Sequence, residues 1–159
     1  MFEMPFKIYV GDMWELGDQD TYRCITTNGV VGTSGLIMGK GIALQAKERF
    51  PEAPQRIGSL VSNFGNNAYR IEEWKLITWP TKHHWRNPSD MKLVTDGANR
   101  IVSLADHFKI KSIVFPPPGC GNGGLSIVHV AYHLYYILDD RFTMAVTQDQ
   151  FDLLTAAQK

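Results

Sequence analysis

Cysteine is scarce in this sequence, neither sign of charge is in surplus, and no apolar run is long. Among its 159 residues the only cysteines are Cys24 and Cys120. Two are too few for a disulfide framework and neither lies in a Cys-x-x-Cys pair, so a reduced, cytoplasmic setting is the expectation. Sixteen Lys and Arg offset sixteen Asp and Glu, a formal net charge of +0. A protein that holds duplex nucleic acid chiefly by neutralising phosphates is ordinarily basic, so any contact with nucleic acid has to be local. Nothing approaches the roughly 18 apolar residues of a membrane span, and residues 1–5 have neither the basic start nor the apolar run of a secretory signal. Internal repeats and low-complexity blocks are absent too. What remains is 44% hydrophobic, 20% charged and 11% aromatic. That is a globular balance that excludes disorder, collagen and coiled coil, at a length that suits one domain over residues 1–159.

Strand and helix patterns alternate along the chain. Phe6-Lys7-Ile8-Tyr9-Val10 and Tyr22-Arg23-Cys24-Ile25-Thr26-Thr27 read as strands, the second running into a glycine-rich loop over 28–41. A helix follows over 41–49, with Pro51 marking its end. Leu60-Val61 and Tyr69-Arg70-Ile71 read as weak strands around an Asn-Gly-rich turn, and residues 74–79 as a stronger strand broken by Pro80. After an irregular segment over 81–88, Ser89 is the expected N-cap of a helix reaching about Phe108. Residues 112–115 form a buried-type strand, 119–124 a second glycine loop, 125–138 a helix, 141–146 a last strand and 151–154 a terminal turn or helix. This order predicts an α/β fold around a mixed sheet, with ligands bound beyond the C-terminal ends of the strands, where both glycine loops sit.

Two nucleotide motifs are tempting and fail. Gly39-Lys40-Gly41 lacks the Ser or Thr that follows the lysine of a Walker A loop, and Ser34 stands where that motif's first glycine belongs. Gly119-Cys120-Gly121-Asn122-Gly123-Gly124 fits Gly-x-Gly-x-x-Gly, but the acids about 20 residues on, Asp139 and Asp140, precede the next strand instead of ending it. Taken together, the two loops offer closely approachable backbone N–H groups, and facing one another they would clamp a diphosphate without a basic cluster.

Four segments fix a more specific reading. They are Val10-Gly11-Asp12-Met13; Thr26-Thr27-Asn28 with Met38-Gly39-Lys40-Gly41-Ile42-Ala43-Leu44-Gln45; Trp79-Pro80-Thr81-Lys82-His83-His84-Trp85-Arg86; and Pro117-Pro118-Gly119-Cys120-Gly121-Asn122-Gly123-Gly124-Leu125. In this order they resemble the macrodomain family, the ADP-ribose-binding module, and are most similar to the branch of DarG-type DNA ADP-ribosyl glycohydrolases and the terminal ADP-ribose glycohydrolase of animals. The resemblance implies a three-layer α/β/α fold with a central mixed sheet. It implies that Asp12 accepts from the adenine amino group, with the Met13 N–H near the ring, and that Asn28 holds the distal ribose hydroxyls. Thr26 and Thr81 would line the site, and the loops over 38–42 and 118–125 would enclose the diphosphate and distal ribose. Lys82 matches the lysine regarded as catalytic in the DarG-like branch. The chain departs from the family at Gly123, where the animal enzyme has an acid, at Ser126-Ile127, where DarG-type sequences have an acidic residue and tryptophan, and in a longer first loop over 32–36.

The resemblance therefore implies a metal-independent ADP-ribosyl glycohydrolase without a cofactor, releasing ADP-ribose from a DNA base or an acidic side chain. Lys82 would act either as an electrostatic stabiliser or, if desolvated, as a nucleophile at the distal C1″. An ADP-ribose 1″-phosphate phosphatase, a reader without turnover and, more distantly, an NAD-dependent dehydrogenase are the competing readings. Trp85 and Arg86 form a basic-aromatic patch suited to stacking on a base of single-stranded nucleic acid, or Trp85 simply anchors its loop. Cys120, near a helix start, is a candidate for a lowered thiol pKa, with small-residue packing the better account of its presence. His129 and His133 have i, i+4 spacing but no Glu in a zinc pattern, so no metal is expected. A monomer is expected, with no membrane partner.

Overall fold

Short runs of β-branched and aromatic residues build the sheet, and their period-2 alternation decides which helix layer each side chain meets. The computed structural model describes residues 3–157; Met1 and Phe2, part of the segment read against a secretory signal, lie outside them. The strands are β1 (Lys7–Val10), β2 (Tyr22–Thr27), β3 (Val31–Gly32), β4 (Gly35–Leu36), β5 (Arg70–Ile71), β6 (Leu76–Pro80), β7 (Ile113–Phe115) and β8 (Phe142–Val146). The helices are α1 (Gly41–Arg49), α2 (Ala53–Phe64), α3 (Met91–Phe108), α4 (Ile127–Tyr135) and α5 (Gln148–Ala157). Six strands form one mixed sheet in the order β1-β8-β7-β2-β6-β5, and β3 and β4 make a separate hairpin. All pairings in the large sheet are parallel except β5 with β6. The C-terminal ends of five strands therefore open onto one edge.

Alternation sorts the core into two layers. Cys24, Ile77, Trp79, Ile113, Phe115, Phe142 and Met144 pack with α3, α4 and Leu154 of α5 on one face. Ile25, Leu76, Val114 and Ala145, their immediate chain neighbours, pack with α1 and α2 on the other. This is the expected three-layer α/β/α architecture. Trp79 is fully buried, donates its indole N–H to the Val94 carbonyl at 3.0 Å, and lies against Gly97, where a Cβ would come within 2.6 Å of the ring. Its burial is worth roughly 1.5–3 kcal/mol and seats α3 on β6.

Several local expectations are corrected. Leu60 and Val61 belong to α2, not to a strand; Pro54 opens that helix, and Ala53, Pro54, Ile57 and Gly58 form its buried face. Trp74 lies in a single 3₁₀ turn (Glu72–Trp74), so the strand starts at Leu76 and includes Pro80, whose missing N–H is harmless at its last position. The N-cap of α3 is Asp90, whose carboxylate accepts from the Lys92 N–H at 2.9 Å; an ionised acceptor outcompetes a hydroxyl, and Ser89 turns inward instead. The helix expected over 125–138 is shorter, because Ile137 and Leu138 both donate back to the Leu134 carbonyl in a closing turn.

Candidate functional site

The common edge of the parallel strands is occupied by a cavity of about 570 Å³. Thr27 and Val146, the last residues of β2 and β8, and Gly11, Thr81 and Pro116, the residues just after β1, β6 and β7, all line it, as expected of an open α/β sheet. Asp12, Lys40 and Lys82 are the acidic and basic side chains in its lining.

The first glycine loop is held from below. The β3–β4 hairpin docks on α2, where Gly35 (φ +110°) and Gly58 let the backbones meet; a Cβ on Gly35 would lie 2.6 Å from the Gln55 nitrogen. Leu36 and Met38 bury themselves in the α1–α2 layer. Asn28 ties the loop's ends, its Nδ2 donating to the Ile37 carbonyl and its Oδ1 accepting from the Val30 N–H, both at 2.9 Å; each amide atom keeps one further hydrogen-bonding capacity. The loop delivers the start of α1 to the cavity. Lys40 is its N-cap and makes no side-chain capping bond, and Gly41, Ile42 and Ala43 of the first turn all line the cavity. Uncapped first-turn amides and the helix dipole together make an anion site.

Opposite, residues 81–90 form a strap fastened at several points. The Thr81 N–H donates to Thr27 O at 3.0 Å, the Gly29 N–H to His83 O at 3.2 Å, and the Asp90 N–H to Thr81 O at 2.8 Å. From beneath, Asn66 Nδ2 donates to Lys82 O at 3.0 Å. His83 Nε2 lies 3.0 Å from Asp90 Oδ2, and this contact with the Lys92 amide holds the Asp90 carboxyl below its ordinary range. Lys82 Nζ lies 3.4 Å from the Trp85 carbonyl and 3.5 Å from the Asn122 carbonyl, bridging the strap and the second glycine loop. At the rim, the exposed Trp85 ring stacks with His84 (5.3 Å between centroids) and carries the Arg86 guanidinium 4.7 Å from its centroid.

The second loop folds onto itself and onto the strap. Leu125 N–H donates to Gly119 O and Ser89 N–H to Gly123 O, each at 2.9 Å. Ser89 is buried, its Oγ has no hydrogen-bond partner, and it fills the notch over Gly119 and Gly123. A Cβ on Gly123 would overlap Ser89 Oγ and lie 2.5 Å from Gly119 O. The two loops do face one another, since a Cβ on Gly41 would be 3.6 Å from Asn122 Nδ2. Of the two helices that follow the glycine loops, α1 presents its N-terminus to the cavity, whereas α4 starts at Ile127, beyond the lining residues.

Of the residues singled out from sequence, Asp12, Met13, Thr26, Asn28, Gly39, Lys40, Gly41, Ile42, Thr81, Lys82, Gly119, Gly121, Asn122 and Gly123 line this single cavity. Met38, Pro118, Cys120, Gly124 and Leu125 do not line it. Met38 is core, Leu125 packs on the α3–α4 layer, and Cys120 is partly buried with its thiol pushed up to about 12 by desolvation. The expectation of a lowered Cys120 pKa is thereby corrected: the α4 N-terminus is too far along the chain to offset burial. Sequence reasoning passed over Ile37, Gln45, Ser89 as a lining residue, Thr147 and Gln150. Gln45 Oε1 accepts from the Trp14 indole N–H at 2.8 Å. Thr147 and Gln150 were detectable, since Thr-x-x-Gln before an apolar stretch is a capping-box signal. Among the described residues no three His, Cys, Asp or Glu side chains group so as to hold a metal ion, and no helix is long and apolar enough to cross a membrane.

The sequence pattern of the macro domain family matches residues 32–133, which include the α1 start, the Lys82 strap and the second glycine loop. The chain belongs to the macro domain family. A DNA ADP-ribosyl glycohydrolase of Thermus aquaticus is 36% identical over 104 residues, covering 60% of this chain and 29% of that protein. One from Mycobacterium tuberculosis is 36% identical over 118 residues, covering 67% of this chain and 32% of the other. The chain thus spans about a third of the length of these relatives. Among solved structures, the macrodomain of Mycobacterium tuberculosis DarG superposes with a TM-score of 0.73 at 26% identity, over 88% of this chain and 96% of that one. This macro domain is therefore related to the DarG-type group, and its fold matches theirs nearly end to end.

Proposed function

We propose that this macro domain binds ADP-ribose in the strand-end cavity and hydrolyses the bond between the distal ribose and a base of single-stranded DNA. The observation that carries the reading is Lys82 Nζ, which lies in the cavity between the strap and the second glycine loop. The diphosphate sits at the uncapped α1 N-terminus facing the Gly119–Gly123 backbone, and Asp12 accepts from the adenine amino group. Asp12 Oδ1 already receives the Trp14 N–H at 2.9 Å; its other oxygen has no hydrogen-bond partner among the described residues. The distal ribose then reaches Asn28 and Lys82.

Two facing carboxylates, the usual apparatus of glycoside hydrolysis, are not supplied by this cavity lining, whose one acid is Asp12. Lys82, as an ammonium, stabilises the negative charge that develops on the departing base nitrogen as the C1″–N bond breaks; water adds its hydroxyl to C1″ and its proton ends on that nitrogen. The Trp85 ring, with His84 and Arg86, offers the adjoining base a surface to stack on. The names of the relatives support DNA as the modified macromolecule. The test is a single-stranded oligonucleotide bearing one ADP-ribosylated base. Wild-type protein releases ADP-ribose and the unmodified strand, and Lys82→Ala lowers the rate at least ~100-fold while calorimetric affinity for ADP-ribose stays within a few-fold. Hydrolysis by Lys82→Ala at the wild-type rate removes the mechanism, and a wild type that binds ADP-ribose without turnover makes the protein a reader.

A further inference from the structure

We propose that Gln150 is a nucleobase-specificity residue, which together with Asp12 selects adenine over guanine; the inference rests on the reading of the cavity as an ADP-ribose site. The two residues come from the segments that follow neighbouring strands, Gln150 from the first turn of α5. Val10 of β1 pairs with Val146 of β8, and the Gly11 N–H donates to the Val146 carbonyl at 3.0 Å. Asp12 follows Gly11 and Thr147 follows Val146, just past the two strand ends, and Asp12, Thr147 and Gln150 all line the same cavity.

The orientation of the Gln150 amide is fixed by a reciprocal cap. Gln150 Oε1 accepts from the Thr147 N–H at 2.9 Å, and Thr147 Oγ1 accepts from the Gln150 N–H at 3.1 Å. With one lone pair of its oxygen engaged at the start of α5, the orientation of the Gln150 amide is set, and Nε2 is its free donor, with no hydrogen-bond partner among the described residues. Asp12 contributes only an acceptor, the oxygen left free by Trp14. This end of the cavity thus pairs one acceptor with one donor. Adenine presents the complement, an exocyclic amine that donates beside a ring nitrogen that accepts. Guanine places a carbonyl where adenine has the amine, and its lone pairs would oppose the Asp12 carboxylate. The rest of the ligand is the same for both bases, so the diphosphate and ribose contacts cancel in a comparison.

Gln150→Glu separates this role from capping. Glutamate serves equally as the third residue of a capping box, so the acceptor toward Thr147 remains while both donors are lost. The added negative charge penalises adenosine and guanosine diphosphate riboses alike. Calorimetry of wild type and Gln150→Glu with ADP-ribose and GDP-ribose gives the preference ratio. It is expected to fall about 3- to 10-fold in the variant, the effect of one net hydrogen bond, with the melting temperature unchanged. A second variant, Leu154→Ala, truncates a buried side chain of α5 outside the cavity lining and is expected to lower the melting temperature and leave the ratio alone. An unchanged ratio in Gln150→Glu, or an equal fall in Leu154→Ala, overturns the assignment. A wild type that binds neither nucleotide overturns the ADP-ribose reading of the cavity itself, and this inference with it.

Discussion

Gly123→Ala tests whether the second glycine loop is closed to side chains. Three atoms crowd the new Cβ. Ser89 Oγ would overlap it, Gly119 O would lie at 2.5 Å and Ser89 Cβ at 2.7 Å. Neither neighbour yields easily, because Ser89 is 8% exposed and its N–H holds Gly123 O, while Gly119 O holds the Leu125 N–H. The cost belongs at the upper end of overpacking, about 2–3 kcal/mol, or roughly 5–10 °C in melting temperature for a domain of this length. Ser89→Gly removes two of the three obstructions and leaves the Gly119 carbonyl. The double variant is therefore expected to recover about 1 kcal/mol relative to the sum of the single changes, a coupling expected only of residues in contact. Urea unfolding of the four proteins in the cycle measures it. An unchanged midpoint in Gly123→Ala, or strict additivity, would refute the steric argument. The consequence reaches the chemistry: an acid such as the animal enzyme carries at this position has no room here, so Gly123→Asp should disrupt the loop and not create a general acid.

Two further predictions follow from ionisation. Burial pushes the Cys24 and Cys120 thiols up, so neither forms appreciable thiolate at pH 8 in the folded state. Ellman's reagent is expected to titrate both thiols rapidly in denaturant and almost none in native protein; one fast thiol under native conditions contradicts the packing of Cys120. The Asp90 carboxyl is held low by His83 and the Lys92 N–H, so its contribution is full above the ordinary carboxylate pKa of about 3.9. It is lost as pH falls through the lower folded value. Asp90→Asn keeps the N-cap and removes the charge, so its stability deficit in urea titrations should shrink between pH 6 and pH 3. A deficit independent of pH would dismiss the ion pair.

Much of the fold was legible locally. The bounds of β2 and α1 fall where the sequence predicts them, because each carries its own period and stop signals in adjacent residues. Leu60-Val61 was misread because two apolar residues fit a strand or a helix equally. The choice was made by β4, whose Gly35 seats against Pro54 and Gly58 of α2. Ser89 and Asp90 are both good caps in isolation, and the notch over Gly119 and Gly123, some 30 residues later in the chain, draws Ser89 inward. Met38 and Leu125 share segments with true lining residues, yet a one-residue step along a loop reverses the direction of a side chain.

By itself the sequence determined the alternation of strand and helix, the two glycine loops at strand ends, and the chemical types assembled there, since these depend on residues near one another in the chain. Tertiary structure alone decided that Lys82 meets the Asn122 carbonyl, that Ser89 closes the loop around Gly123, and that Asp12 and Gln150 share one end of a cavity. Those juxtapositions involve residues 34 to 138 positions apart. Their geometry is set by parallel strands whose register is fixed by burying alternate side chains on two faces, which no local pattern records.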